Sequence, residues 1–362
     1  MWFRIGPLVL LLALTLAPAP ALAQSADETE FARLMAGAGQ AYEEGRYADA
    51  ERLMQRALAL ATQFGSDDLR IGLAQRNLAL IYRLQGRFAE AEARIRAARA
   101  VFDAVRGPDH PDTASVVNIL GTIREDRGYV KEAEQLYRDA LAIRERHLGQ
   151  NHPDVAWSLN NLGLNYRSQL RFSEAEMLLR RALTIWEGAL GPEHPRVAVA
   201  LDNLGMVYRL SGRLGEAEPL LRQAVGIWKR LNHPHEAGTL NNLAALLLAQ
   251  GRINEAEAVV ERARQIGEQR LGDTHPIVAL SLEYLGVVRR EQGRADEAES
   301  LFRRSLAMSE RTYGRDHTAV AQTLEHWAVL MERTGRANEA SVLLERARTI
   351  RARAAQSITP AR

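Results

Sequence analysis

The chain repeats itself. The stretch His152 to Glu193 is 42 residues long and recurs with edits from about residue 28 to about residue 355. In that register Ala91, Ala133, Ala175 and Ala217 superpose, and after one three-residue deletion Ala256, Ala298 and Ala340 follow, with Ala50 one residue out of phase. Seven positions on stand Ala57, Ala98, Ala140, Ala182, Ala224, Ala263, Ser305 and Ala347. Small residues at i and i+7 lie on one stripe of a helix, so two helices must approach closely there.

Each copy predicts two helices. From Asp154 to about Gln169, Ala156, Leu159, Leu162, Gly163 and Tyr166 make an apolar stripe at helical spacing, and Ala175, Leu178, Leu179, Ala182, Leu183 and Trp186 repeat it from Phe172 to Leu190. The corner inside the copy carries Gly45, Gly86, Gly128, Gly212, Gly251, Gly293 and Gly335, as expected where a helix ends in the left-handed conformation. Leu170 stands in that column and predicts a strained or differently shaped corner. Between copies a second column, Gly65, Gly107, Gly149, Gly191, Gly272 and Gly314, precedes His-Pro in most repeats; proline suits the first helical position, and Asp154 sits against the positive helix end. In the shortened copy Asn232 stands in for the glycine before His233-Pro234.

Hairpins in tandem that cannot bury their apolar faces alone specify an all-α solenoid, and eight copies fit. Leu162-Gly163 with Tyr166, Ala175 and Ala182, repeated as Leu204-Gly205 with Tyr208, Ala217 and Ala224, resembles the tetratricopeptide repeat. The period, the His-Pro-Asp-Val-Ala opening and the Leu-Asn-Asn-Leu core are similar to the longer variety found in kinesin light chain. That resemblance implies a right-handed superhelix lined inside by the first helix of each repeat. Departures are Ala38 and Ala41 in the glycine and tyrosine positions of repeat one, and Arg124 and Arg289 in the tyrosine column of repeats three and seven.

Residues 1–23 have Arg4, an apolar Leu8 to Leu16 segment and Ala21-Leu22-Ala23, which reads as a cleaved secretory signal with a mature chain from Gln24. Pro7, Pro18 and Pro20 keep the apolar run short of the roughly 20 residues a bilayer span needs. Residues 24–355 then form the repeat solenoid, and 356–362 a disordered tail. There is no cysteine, hence no disulfide or thiol chemistry. Loss of the signal leaves a formal charge of +1, which gives no bulk attraction to nucleic acid or an anionic membrane. The expected location is periplasmic, or secreted.

The histidines His110, His152, His194, His233, His275 and His317 recur once per repeat, so each falls in a different corner; corner packing is expected and metal binding is not. The glutamates after the alanine column, Glu92, Glu134, Glu176, Glu218, Glu257 and Glu299, are expected to join corner hydrogen bonding. Trp186 and Trp228 should pack between repeats, and Trp157 in the core. No nucleophile elbow, P-loop or Cys/His pair appears, so no enzyme and no cofactor is expected.

What remains is the inner surface. Positions three before, one after and four after the Gly163 column cluster on one side of the first helix. The first reads Arg76, Asn118, Asn160, Asp202, Asn241, Glu283, Glu325; the third reads Arg83, Glu125, Arg167, Arg209, Leu248, Arg290, Glu332; the middle is mostly apolar, from Leu80 to Val329. Amides, cations and small apolar groups in alternation suit an extended peptide. By resemblance, Asn118, Asn160 and Asn241, with Asn161, Asn203 and Asn242 beside them, hold peptide backbone. The cations Arg76, Arg83, Arg167 and Arg209 outnumber acids in repeats two to five, whereas Arg290 is outnumbered in repeats seven and eight, so an acidic segment is expected over repeats four and five. The expected function is an exported, non-catalytic scaffold with a protein or peptide partner. The alternatives are a regulatory subunit of a separate protease-like or signalling system, and a membrane-tethered assembly factor.

Overall fold

The structure is a computed structural model describing residues 25–356, so the expected signal and the tail beyond Gln356 lie outside the described residues. Those residues form sixteen α-helices in eight hairpins, with one short 3₁₀ turn after the second helix and no strand among them. Two compact units divide at residues 150 and 151.

The first unit holds three hairpins: α1 (Ala26–Glu43) with α2 (Tyr47–Ala61), α3 (Leu69–Leu84) with α4 (Phe88–Arg106), and α5 (Pro111–Asp126) with α6 (Val130–Leu148). The second holds five: α7 (Pro153–Ser168) with α8 (Phe172–Leu190), α9 (Pro195–Leu210) with α10 (Leu214–Arg230), α11 (His235–Ala249) with α12 (Ile253–Leu271), α13 (Pro276–Glu291) with α14 (Ala295–Tyr313), and α15 (Thr318–Arg333) with α16 (Ala337–Gln356). Within each unit every second helix packs against the first helix of the following hairpin, so each hairpin buries its faces on its neighbours.

The small residues sit where helices touch. Ala175, Ala182, Ala217 and Ala224 are fully buried. A Cβ on Gly163 would lie 2.9 Å from Leu179 Cγ, and one on Gly286 2.7 Å from Phe302 Cε1. Trp186 is fully buried; its Nε1 donates to the Pro153 carbonyl at 3.0 Å, and Trp157 packs against its ring at 6.2 Å, so both belong to one hairpin's core. Trp228 packs instead on the His233 and His235 rings at the start of the next hairpin, each 5.0 Å away.

The corners follow from local chemistry. Gly212 takes φ 82°, which lets its N–H reach Arg209 O at 3.2 Å and that of Arg213 reach Tyr208 O at 2.8 Å. Leu170 takes φ 61° and makes the same pair of bonds, to Arg167 O at 3.0 Å and, from Arg171, to Tyr166 O at 3.0 Å. That corner therefore keeps the common shape at the cost of a Cβ in the left-handed region. Asn232, at φ 52°, substitutes for glycine in the shortened copy.

Five of the six corner histidines are helix N-caps, and His233 stands one residue before the N-cap Pro234. Nδ1 accepts the N–H two residues on at 3.1 Å in His110, His152, His194 and His317, and at 3.2 Å in His233 and His275. An accepting Nδ1 leaves the proton on Nε2, so the neutral ring performs the role that Ser or Asp performs elsewhere.

The corner glutamates staple successive hairpins. Glu176 accepts from Arg213 at 2.6 Å, Glu218 from Arg252 at 2.7 Å and Glu299 from Arg336 at 2.6 Å. Tyr208 Oη also donates to Glu176 at 2.9 Å. Where arginine replaces that tyrosine it makes the equivalent bond: Arg124 to Glu92 at 2.6 Å, and Arg289 to Glu257. Each half-exposed pair stabilises by only about 0–1 kcal/mol, but the staple recurs along the stack.

Candidate functional site

All eleven expected site residues lie on first helices: Arg76 and Arg83 on α3, Asn118 on α5, Asn160, Asn161 and Arg167 on α7, Asn203 and Arg209 on α9, Asn241 and Asn242 on α11, and Arg290 on α13. The spacing that places them there also places them close to the next first helix. Glycine or alanine on the side facing the second helix draws each hairpin tight, and the amides then reach their neighbours.

In the second unit they form a ladder. Asn203 Nδ2 donates to Asn160 Oδ1 at 2.9 Å, while Asn160 Nδ2 lies 3.4 Å from Asn161 Oδ1. Asn242 Nδ2 donates to both Asp202 oxygens, at 3.0 and 2.9 Å. Ser281 Oγ donates to Asn241 Oδ1 at 3.0 Å, and Asn241 Nδ2 reaches Ile277 O at 3.3 Å. Glu283 faces Gln322 at 2.9 Å, Thr323 at 2.6 Å and the His326 ring at 2.8 Å, and Glu325 receives Arg351 at 2.6 Å. Asn160 and Asn241 are fully buried, so these amides bond within the stack rather than standing as an open row.

The cations are enclosed to different degrees: Arg76, Arg83 and Arg167 are buried, whereas Arg209 and Arg290 are half-buried. Arg167 is 7% exposed, and its charge bears on Asp202. Burial pushes the Asp202 carboxyl up from its ordinary range, against the hydrogen bonds from Asn242 and Thr239. Burial also draws Arg209 down and pushes the Tyr284 phenol up to about 12. Arg290 donates to His326 O at 3.1 Å and to Glu291 at 2.8 Å.

The first unit differs. Arg83 pairs with Asp126 on α5. Arg76 reaches only Asn77 Oδ1 on its own helix, at 3.3 Å from both Nε and Nη2, and burial lowers its guanidinium to about 10. Asn118 Oδ1 is enclosed with no hydrogen-bond partner among the described residues.

Two features were not read from sequence. Glu283, with Thr323 and His326 around it, is a buried carboxylate satisfied from α15, and the first column named it only as an acid. His235 is 9% exposed with an Nε2 that has no hydrogen-bond partner among the described residues, its ring edge-on to His233 at 4.3 Å; the His-Pro-His pattern was the available signal. Among the described residues no group of three His, Cys, Asp or Glu side chains converges so as to hold a metal ion, and no helix is long and apolar enough to cross a membrane.

A family model described as tetratricopeptide repeat matches residues 30–102, 70–146, 117–187, 154–230, 235–311 and 279–353. No match was found among curated proteins. Among solved structures, kinesin-light-chain repeats from Podosopora anserina are 27% identical over 56% of this chain and 97% of theirs, with a TM-score of 0.48. A Rap protein complexed with Competence and Sporulation Factor is 12% identical over 94% of this chain and 90% of its own, with a TM-score of 0.74. The Rap conjugation gene regulator of plasmid pLS20, solved with the Phr* peptide, is 16% identical over 91% and 96%, with a TM-score of 0.65.

Proposed function

The chain belongs to the tetratricopeptide repeat family, an interaction fold, and from that premise we propose that it is an exported, non-catalytic scaffold that holds an extended peptide segment of a protein partner along its first helices. The observation that carries the reading is the segregation of polar groups. Second helices contribute mainly alanines and large apolar side chains to packing, with corner glutamates beside them, whereas amides and guanidinium groups recur at three registers of the first helices in both compact units. A peptide needs amide partners, and Asn118, whose Oδ1 has no hydrogen-bond partner among the described residues, leaves one available. The same fold holds a peptide in the pLS20 regulator, which supports the capacity of the architecture and nothing finer.

The proposed partner segment is acidic. Arg76, Arg83, Arg167 and Arg209 remain cationic at neutral pH, and a desolvated guanidinium favours carboxylates. The reading is tested by selecting random ten-residue peptides on the purified full chain and titrating the best calorimetrically. Acidic sequences that bind in extended form and weaken as salt rises are expected. Failure to enrich any peptide, or enrichment indifferent to replacing its acids with amides, overturns the acidic reading. Export is checked by intact mass: the mature protein is expected to begin at Gln24, and a membrane-bound product retaining Met1 would favour the tethered alternative.

A further inference from the structure

Within the stack a second helix meets the next first helix through apolar side chains. Leu306 of α14 packs against the cluster that Val320, Ala321 and Leu324 of α15 join, and Val225 of α10 packs in the same way on the cluster of Ala237 and Leu240. The corner adds a staple, Glu299 to Arg336 across the α14–α15 joint. Two faces of this kind meet no further hairpin among the described residues: α1 packs chiefly on α2, and α16 chiefly on α15.

On those two faces charges stand where the internal joints have apolar residues. Arg348 lies 42 residues after Leu306 and holds its position on α16. Glu30, eight residues before the small-residue position Ala38, holds on α1 the position that Val320, eight before Ala328, holds on α15. One turn along α16, Glu345 takes the place of Arg303, whose guanidinium lies 5.5 Å over the Trp327 ring of α15; on α1 the Trp327 position is Gly37, with Arg33 one turn before it. The Arg348 and Glu345 side chains are 76% and 74% exposed and lie 3.9 Å apart. Arg33 is exposed and Glu30 half-buried, and the two are joined at 2.6 Å. Continuing the stack from one copy into another by the geometry of the α14–α15 joint therefore sets Arg348 against Glu30 and Glu345 beside Arg33. A charged face by itself only ends a stack, whereas opposite charges at matching positions make the two ends complementary.

We propose that a second copy of this chain docks head to tail, its α1 on the α16 face of the first, with Arg348 paired to Glu30 and Glu345 to Arg33 across the joint. The charge match selects this occupant. The interface is heterologous, one end of the stack on the other, so copies add into a chain or close into a ring. It is weaker than an internal joint for two reasons. Ser341 occupies the corner position of Glu299, so the staple is missing, and exposed ion pairs stabilise little and are screened by salt. Association is therefore reversible and depends on concentration and ionic strength. Neither helix carries any of the eleven site residues, so the joint is independent of the peptide-holding reading.

The test is sedimentation velocity of the full chain at about 50 and about 500 mM salt. The weight-average mass is expected to rise above that of one chain as protein concentration increases at the lower salt, and to return toward it at the higher. Arg348→Glu and Glu30→Arg should each weaken association about tenfold or more, because each sets like charges across the joint. The two variants mixed in equal amounts should associate as the wild type does: the altered α16 of the first meets the altered α1 of the second, and the unaltered ends meet as before. If Glu30→Arg does not fold, Arg33→Glu with Glu345→Arg is the second pair for the same mixing experiment. A wild type that stays monomeric at the lower salt at every concentration, a loss in one variant but not the other, or a mixture no better associated than its components overturns the proposal. Association that disappears when residues 1–23 are removed, with the charge variants unaffected, identifies that apolar segment as the occupant and overturns it as well.

Discussion

Replacing Leu170 separates backbone strain from side-chain packing. Its φ of 61° puts a Cβ where the other corners have glycine, and such a conformation costs a non-glycine residue roughly 1–2 kcal/mol. The side chain is 57% exposed, so less than half of the roughly 1.5–3 kcal/mol available from burying a leucine is realised. Leu170→Ala keeps the strain and loses that packing, so it should destabilise by at most about 1 kcal/mol. Leu170→Gly also removes the strain, while glycine's freer unfolded chain returns about 0.4–1 kcal/mol. The glycine variant should therefore be more stable than the alanine variant by about 1 kcal/mol, the reverse of the order inside a right-handed helix. Repeat arrays depart from two-state unfolding, so urea melts should be paired with hydrogen exchange over Phe172–Leu190. An alanine variant as stable as the glycine variant, or more so, would falsify the strain argument.

Gly286→Ala should destabilise, because its Cβ would meet Phe302 at 2.7 Å and overpacking of about 1–3 kcal/mol exceeds the helix-propensity gain, whereas Gly188→Ala, with nothing within 4 Å, should gain about 0.5–1 kcal/mol; thermal melts of the pair check the sign. Ala182→Leu should overpack the α7–α8 hairpin by a similar amount, with hydrogen exchange rising in that hairpin and its packed neighbour before α15 and α16; uniform loss would contradict a nearest-neighbour stack. Burial draws His275 from 6.5 down to about 4 and His235 to about 3, so neutral rings are preferred in the fold. Their stabilisation is complete above pH 6.5 and is lost as pH falls toward those values. Urea midpoints measured from pH 7 to pH 4 should decline in the wild type and decline less in His235→Leu.

The fold was legible because its requirements are local. A left-handed corner demands glycine at one position, and a close helix contact demands alanine or glycine at another, so both recur visibly every 42 residues. Asn232 was readable for the same reason. Leu170 was half readable: the misfit was evident, but the hydrogen bonds that force the common corner shape depend on the residues around it. The capping histidines were readable only as corner residues, since Nδ1 fills a role that Ser, Thr, Asp and Asn usually take. The site was least legible. All eleven residues lie on first helices, but whether an asparagine faces a ligand or another asparagine depends on the separation of successive first helices. A pattern within one repeat does not encode that distance. Asn160 and Asn203 were read as two peptide ligands, and 2.9 Å makes them partners of each other.

That distinction explains why an incomplete pair is tolerable in repeats two and three. In a stack each hairpin is stabilised chiefly through its own two interfaces, so a local deficit must be offset locally. The surrounding core of the first unit is well placed to do so: Leu78, Ile81, Ile95, Phe102 and Ile123 are all at most 2% exposed, and Tyr137 is 1% exposed with its hydroxyl donating to Glu125 at 2.9 Å. Each such apolar side chain contributes about 1.5–3 kcal/mol on burial, so two or three of them outweigh one unpaired amide and one weakly partnered guanidinium. A closed ladder in the second unit lowers the free energy of the unliganded stack and leaves its amides little to offer. An open pair gives up that stabilisation. Closing the pair artificially should thus add stability: Asn118→Asp, which puts a carboxylate on α5 at the register that Arg76 holds on α3, is expected to raise the melting temperature. A thermal melt decides it, and a variant that melts at or below the wild type would show that the two residues do not approach.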